Sequence, residues 1–219
     1  MCKPCGDVLP INYSTFVSQY QTLTSSDASV NVTRAVSCLK SIFVTFDNRH
    51  THGADVGSVV HSNVNTFMGP MCPVPNGDGF GKYCEGPYSY KKELQWQIQI
   101  GGKMFPEYPC QSLAESFYQL KKAMGIAGSA FHSLDITPTQ YRNDKFILGL
   151  DTEKVLGASF SGFNTKSGDL LCVRIKPANG TAADMPLWAN SMYIFLQTDN
   201  VLEIRDSGIQ VFDYVFLLQ

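Results

Sequence analysis

The clearest strand pattern of the chain lies in the segment KKELQWQIQI, residues 91–100. Apolar and polar side chains alternate in it: Leu94, Trp96, Ile98 and Ile100 share one side, and the glutamines between them share the other. A period of two is typical of a β-strand with one face on a core and the other toward solvent. The segment therefore predicts a sheet, and Gly101-Gly102 after it predicts a turn or a bulge.

Strand-like composition recurs on both sides of this segment. β-Branched and aromatic residues, which favour strands, are concentrated in Val30–Val36, Leu39–Phe46, Phe146–Leu150, Val155–Phe160, Asp169–Ile175, Leu187–Gln197, Val201–Arg205 and Ile209–Leu218. Turn signals separate the later ones, including Thr198-Asp199-Asn200. Short strands at this spacing are typical of an antiparallel sandwich, and there are enough of them for one jelly roll.

One helix is predicted among the strands. Ser112 and Glu115 have the spacing of a capping box, in which each side chain accepts a hydrogen bond from the backbone of the other residue. Gly125 is the expected end of the helix. The apolar residues at helical spacing are Leu113, Phe117, Leu120 and Met124. We therefore expect a mainly β protein, an antiparallel jelly-roll β-sandwich with one short α-helix in a connecting loop.

The chain divides into two parts by composition. Residues 1–28 are polar and rich in Ser and Thr, which predicts an amino-terminal arm outside the core. Residues 29–219 are expected to form a single jelly-roll domain, because no internal repeat indicates a second roll. Within this domain, residues 47–90 are rich in Gly and Pro and predict a long loop, which in a compact domain usually has a function.

Composition excludes some classes of function. The chain has 219 residues, of which 44% are hydrophobic and 16% charged, with a formal net charge of -2. A balanced charge gives no general footprint for nucleic acid, and no apolar stretch approaches the ~20 residues of a membrane helix. We therefore expect no sequence-specific nucleic-acid binding and no membrane insertion. The amino terminus has no apolar segment of the length that a secretory signal needs, which predicts synthesis inside the cell.

The cysteines are the first candidates for chemistry. Cys2 and Cys5 could form half of a zinc site or a redox pair, but a zinc site needs two further ligands. The nearest histidines, His50 and His52, are distant in sequence. The alternative is a terminus with two free thiols, and we interpret the seven cysteines as mostly free. No metal and no cofactor is therefore expected.

Other possible catalytic motifs are incomplete. Residues 77–82 (GDGFGK) lack the spacing of a phosphate-binding P-loop, and residues 157–162 (GASFSG) have Ser161 where a nucleophile elbow needs glycine. A cysteine nucleophile needs a nearby histidine, and all four histidines lie in loop-like regions. Asp151 and Glu153 could act as an acid–base pair, although such charges more often end strands or form surface ion pairs. The sequence predicts no enzyme.

Several segments nevertheless resemble a known family. They are Gln97–Pro106, the helix Ala114–Leu120, Gly149–Val155, Ser161–Asp169 and Leu202–Val211. Together they are similar to the double jelly-roll major capsid protein of eukaryotic DNA viruses, of the adintovirus and polinton-like type. The resemblance runs from about Arg34 to the end of the chain and is strongest after Lys91. Its motifs are structural turns and strands and carry no catalytic signature.

The resemblance implies a structural capsid subunit that self-assembles into a viral shell. In that family two jelly rolls stand in one chain, and three chains form a capsomer. This chain has one predicted roll, so it corresponds to the carboxy-terminal jelly roll, to a split gene product or to a single-roll relative. The implied partners are copies of itself in a homotrimer and in neighbouring capsomers, and a minor capsid or penton protein. The implied location is the virion.

Two readings of the surface stay open at this point. A lectin-like binding module would hold its ligand in loop 47–90. Late aromatic residues such as Tyr193 and Phe195 would suit the centre of an interface if they point outward. We expect most of the late aromatic residues in the core instead, because a sandwich needs large inward-facing side chains.

Overall fold

The structure is a computed structural model that describes residues 9–25, 27–47, 88–89, 92–127, 131, 133–143, 146–153, 162–166, 170–177, 191–205 and 208–213. Its strands are β1 (Leu9–Thr22), β2 (Ala28–Val32), β3 (Leu39–Asp47), β4 (Tyr88–Ser89), β5 (Lys92–Ile100), β6 (Lys103–Cys110), β7 (Leu148–Asp151), β8 (Leu171–Pro177), β9 (Ser191–Arg205) and β10 (Gly208–Asp213). Its helices are α1 (Leu113–Ala123) and α2 (Pro138–Asn143).

These strands pair antiparallel in two sheets. Sheet A has the order β1-β9-β3-β7, with β10 also on β9, and sheet B has the order β2-β8-β5-β4, with β6 also on β5. When β4 and β10 are set aside, eight strands remain. The first, eighth, third and sixth of them form sheet A, and the second, seventh, fourth and fifth form sheet B. This is the strand order of a jelly roll, so the predicted fold class is confirmed.

The core lies between the two sheets and contains the alternating residues of β5. Leu94, Trp96, Ile98 and Ile100 are all buried, as their period of two predicts. The chain then turns at Gly101, whose φ of 60° lies in the left-handed region that glycine adopts without strain. The turn at Gly101 agrees with the sequence, and it joins β5 to β6 as an antiparallel hairpin.

Helix α1 begins and ends where its sequence predicts. Ser112 is the N-cap and forms a capping box with Glu115, and Gly125 follows the C-cap with a φ of 70°. Leu120 is buried, but Met124, expected on the same apolar stripe, is 46% exposed. Met124 is the C-cap residue, so the helical geometry that would direct its side chain toward the core has already ended.

The short helix α2 was not predicted, although its start is encoded locally. Thr137 and Gln140 form reciprocal hydrogen bonds of 3.0 and 3.3 Å between side chain and backbone, and Pro138 occupies the first helical position. This is a second capping box with a favourable proline. Its Tyr141 is buried and donates a hydrogen bond of 2.8 Å to the carbonyl of Ile147.

The structure differs from the expected arm at residues 1–28, because Leu9–Thr22 of this segment is strand β1. It pairs residue by residue with β9, from Leu9 opposite Ile204 to Thr22 opposite Ser191. Most of its side chains are exposed, so the strand lacks the buried alternating residues that identify β5. Its place in sheet A depends on backbone pairing with a strand about 180 residues away.

The turn predicted at Thr198-Asp199-Asn200 is wrong, because β9 runs without interruption through these residues. All three are buried, and Asp199 accepts a hydrogen bond from the hydroxyl of Ser14 and lies 3.5 Å from the Lys40 ammonium. Such partners from other strands satisfy polar groups that would otherwise favour a turn. The predicted strand 155–160 and most of loop 47–90 lie outside the described residues.

Candidate interaction surface

The partner of β9 in sheet A changes along its length. Strand β3 pairs with β9 from Ser191 to Thr198, whereas β10 pairs with it from Asn200 to Arg205. On its other edge β9 keeps β1 throughout. Residues 9–14, 199–205 and 208–213 therefore form a three-stranded part of sheet A, which we call the extension.

One face of the extension is apolar. Residues directly opposite one another in antiparallel strands share a face. Leu9 lies opposite Ile204, which lies opposite Ile209, and the next row on the same face is Ile11, Leu202 and Val211. We call these six residues the apolar face.

The apolar face continues the core face of β9 but is accessible to solvent. Leu196 of β9 is buried on this face, whereas Leu9 and Ile11 are 58% and 41% exposed, and Ile209 and Val211 are 66% and 57% exposed. Scattered apolar residues are ordinary on a protein surface, but a contiguous exposed patch marks an interaction site. The apolar face is therefore the first candidate for contact with a partner.

The outer edge of β1, the edge opposite β9, is the second candidate. The segment Leu9–Thr22 contains no charged residue, and its register with β9 has no bulge. Among the strands of the described ranges, β9 alone pairs with β1. Natural proteins usually block such edges with charges, bulges or short strands, and here only Pro10 near the start could do so.

Aromatic side chains occupy the face of sheet A opposite the core. Tyr193 and Phe195 alternate with the buried residues of β9 and are themselves half-buried, so they lie on the outer face and not in the core, where most late aromatic residues are expected from sequence. Tyr20 lies 5.0 Å from Tyr193 between ring centroids, and Phe16 is 59% exposed. This face adds aromatic area beside β1.

An ion-pair cluster lies where the extension meets β3. The Lys40 ammonium is 3.1 Å from the Glu153 carboxylate and 3.5 Å from that of Asp199, which also accepts the Ser14 hydrogen bond. Burial lowers the pKa of Lys40, but its hydrogen bond to Glu153 and the charge of Asp199 outweigh this, so the pKa is raised. The cluster holds its lysine charged and joins β1, β3 and β9.

The proposed acid–base pair is part of this structural arrangement. Glu153 pairs with Lys40, and the carboxylate of Asp151 accepts a hydrogen bond of 2.9 Å from the backbone N–H of Glu153. General acid–base chemistry needs a carboxyl group directed at a substrate. Through these contacts the Asp151 carboxylate stabilises the backbone at the end of β7, and the Glu153 carboxylate pairs with Lys40 of the neighbouring strand β3.

The described cysteines are buried, and two of them are poor nucleophiles. Cys38, Cys110 and Cys172 are all free thiols. Burial, with a smaller contribution from the charge of Glu115, raises the pKa of Cys110 to about 12. Burial and the charge of Asp199 raise the pKa of Cys38. Because the thiolate is the reactive form, Cys38 and Cys110 are suited to packing.

Several candidate residues lie outside the described part of the chain, so their predictions are untested. They are Cys2, Cys5, the four histidines, the segment 77–82, Ser159 and Ser161. In the ranges that the structure does describe, no three His, Cys, Asp or Glu residues lie close enough together to hold a metal ion. No helix in those ranges has the length and apolar character needed to cross a membrane.

The fold has counterparts among solved structures of viral capsid proteins. The crystal structure of PBCV-1 VP54 fitted into a cryo-EM reconstruction of the virophage Sputnik matches with a TM-score of 0.53 and 13% identity, over 94% of this chain and 52% of that chain. The PBCV-1 virus capsid, in a quasi-atomic model, gives 0.49 and 13%, over 94% and 52%. The cryo-EM structure of the Sputnik virophage gives 0.39 and 11%, over 98% and 40%.

At these identities the likeness concerns the fold alone, and the match to VP54 agrees with the jelly-roll strand order. The chain spans about half the length of the PBCV-1 capsid chains that it matches. No protein-family model and no curated protein matches the sequence.

Proposed function

We propose that this chain is a structural capsid subunit that self-assembles with copies of itself into the shell of a DNA virus. The observation that carries the proposal is the apolar face of the extension, with Ile209 and Val211 more than half exposed. A fold alone permits many functions, so the function is argued from this surface. The capsid fold of the structural neighbours supports the same role.

The finer features of the proposal follow the family resemblance. They are a virus of the adintovirus and polinton-like type, a homotrimeric capsomer that contacts neighbouring capsomers, and a minor capsid or penton protein as a further partner. The virion is the proposed location, with assembly inside the host cell. We propose a single jelly-roll domain, here with β1 as part of sheet A rather than within an arm.

The proposed role requires no catalysis. The raised pKa values of the Cys38 and Cys110 thiols and the pairing of Glu153 with Lys40 support a structural use of these groups. The outer side of sheet B combines the half-buried Gln97 and Gln99 with the exposed Arg174 and Lys176, so a contact between subunits on that side would have to desolvate charged side chains.

The test is the assembly state of the purified chain. Sedimentation and light scattering at micromolar concentration, in several salt concentrations, are expected to detect trimers or larger assemblies, and electron microscopy is expected to detect shells or shell fragments. A compact monomer under every condition, with no particles in the images, contradicts the proposal. The lectin-like alternative predicts ligands on a glycan array and no assembly.

A further inference from the structure

We infer that the outer edge of β1 pairs, antiparallel and about a two-fold axis, with the same edge of a second copy of this chain. The inference rests on the proposed shell-building function and adds the contact that joins two subunits. It starts from the regularity of β1, which keeps one register with β9 from Leu9 to Thr22. A regular edge strand directs alternate N–H and C=O groups away from its sheet, where another strand can pair with them.

The available part of this edge lies before Gln19. The Gln19 side chain donates a hydrogen bond to the carbonyl of Asn31 at 2.9 Å and accepts one from the N–H of Thr33 at 2.8 Å, so the end of β2 and the residue after it approach β1 there. Among the described residues, none pairs with the outer edge of residues 9–18, a length of about 33 Å at the rise of a strand. Pro10 has no N–H to donate, so a continuous ladder has room from Ile11 to Ser18, which is still longer than an average strand.

The charge pattern favours a copy of the same chain as the occupant. In a two-fold antiparallel pair, each strand faces its own sequence, and like charges directly opposite one another are destabilising. Residues 9–18 carry no charge, so no register of the pair places like charges together. A partner recognised through complementary charge would find nothing to bind on this strand.

The same contact would cover part of the apolar face. Cross-strand neighbours have Cβ atoms about 5 Å apart, so pairing places the exposed side chains of Leu9 and Ile11 against those of the second copy. Aromatic Phe16, which is 59% exposed on the other face, would gain neighbours in the same way. Both faces of β1 therefore lose exposed apolar area.

The symmetry of the contact assigns it a place in the shell. A two-fold interface uses the same patch on both subunits, whereas a three-fold ring joins two different patches. The β1 pair therefore does not lie inside a trimeric capsomer. It joins subunits of neighbouring capsomers and continues sheet A from one into the other.

Hydrogen exchange on the wild-type chain tests the pairing directly. Backbone amides of residues 9–18 are compared at a low concentration, where the chain is least assembled, and at a high one. The amides of β1 that point away from β9 are expected to exchange about tenfold more slowly, or slower still, in the assembly. Equal exchange of these amides in the assembled and dissociated chain overturns the inference.

A charged variant provides the second measurement. Asn12→Lys with Ser18→Lys adds two exposed positive charges to β1 of each copy, and Ala35→Lys with Ala114→Lys adds the same charge at exposed positions elsewhere. The Asn12→Lys/Ser18→Lys variant is expected not to form the largest assemblies of the wild type and to need about a tenfold higher protein concentration to assemble at all. The Ala35→Lys/Ala114→Lys control is expected to assemble as the wild type does. If the Asn12/Ser18 variant does not fold, the exchange measurement decides.

The outcomes separate the two claims. A wild-type chain that stays monomeric contradicts both the shell-building function and the β1 contact. A wild-type chain that assembles with unprotected β1 amides, or an Asn12→Lys/Ser18→Lys variant that folds and assembles normally, overturns the β1 contact and leaves the function intact.

Discussion

Leu120 of α1 lies directly on Gly149 of β7. A Cβ atom placed on Gly149 would be 3.0 Å from both the Cα and Cδ1 atoms of Leu120 and 3.2 Å from the Cβ of Ala123. The helix thus approaches the strand as closely as a glycine permits. One turn earlier on the same buried side, α1 reaches sheet B, because the indole N–H of Trp96 donates a hydrogen bond of 2.8 Å to the Ser116 hydroxyl. Helix α1 therefore connects the two sheets.

This contact predicts that Gly149→Ala destabilises the fold. The added methyl group meets helix backbone, which cannot rotate away, and overpacking of this kind costs about 1–3 kcal/mol. Urea unfolding followed by circular dichroism measures the free energy of unfolding. Gly102→Ala is the control, since a Cβ there would meet nothing within 4 Å. Equal losses in the two variants would show that the helix does not press on Gly149.

The buried side of α1 predicts a larger effect for Leu120→Asp. Leu120 is 1% exposed, so the substitution leaves a cavity and places an unpaired carboxylate in the core. We expect a loss of about 4 kcal/mol or more, enough to prevent folding. Ala114→Asp places the same residue at an exposed position in the first turn, where a negative charge is favourable. A soluble, cooperatively unfolding Leu120→Asp chain would contradict the assignment of this side to the core.

Local elements such as α1 and β5 could be predicted from sequence, whereas the extension could not. The capping box at Ser112 and the alternation around Trp96 each involve residues a few positions apart, so a short window contains the whole signal. The straight passage of β9 through Asp199 depends on Ser14 and Lys40, which are distant in sequence. Tertiary contacts outweighed the turn propensity there.

The candidate surface was missed for a related reason. It arises from rows such as Leu9, Ile204 and Ile209, in which strands from both ends of the chain lie side by side. The absence of charge in residues 9–22 is visible in the sequence, but the polar, Ser- and Thr-rich composition of residues 1–28 predicts an arm there instead. An uncharged run with apolar residues at alternate positions, Leu9, Ile11 and Tyr13, was the signal that could have indicated an edge strand.

The ion-pair cluster predicts a cost for Lys40→Met. Removing the ammonium leaves the Asp199 carboxylate, 8% exposed, with the Ser14 hydroxyl but without its cation. We expect a loss of about 1–3 kcal/mol in the free energy of unfolding. Adding Asp199→Asn to Lys40→Met should recover part of it, because the neutral amide needs no cation. Lys103→Met, at an exposed position, is expected to change stability by less than about 0.5 kcal/mol.

The capping box predicts a pH dependence in acid. The carboxylate of Glu115 accepts hydrogen bonds from the backbone N–H groups of Gln111 and Ser112, which hold its pKa below the ordinary value of 4.5. A lowered folded pKa contributes stability above the unfolded pKa, and this contribution is lost as the pH falls through the folded pKa. The wild type should therefore exceed Glu115→Gln in stability at about pH 7, and the difference should shrink below about pH 4.5. A difference that stays constant from neutral to acid pH would contradict this.

The apolar face predicts a variant that folds but assembles poorly. Ile209→Ser with Val211→Ser removes two side chains that are 66% and 57% exposed, so the stability of the isolated chain should change by less than about 1 kcal/mol. If this face contacts a neighbouring subunit, losing it should raise the protein concentration needed for assembly by about tenfold or more, because burial of each such side chain contributes about 1.5–3 kcal/mol. Leu170→Ser with Tyr118→Ser is the matched control, since both residues are 53% exposed and lie outside the extension. Light scattering against concentration compares the three proteins. Normal assembly by the Ile209/Val211 variant, or an equal defect in the Leu170/Tyr118 control, would exclude the apolar face as a specific contact. If the apolar face is buried between subunits, only the Ile209/Val211 variant should need more protein to assemble.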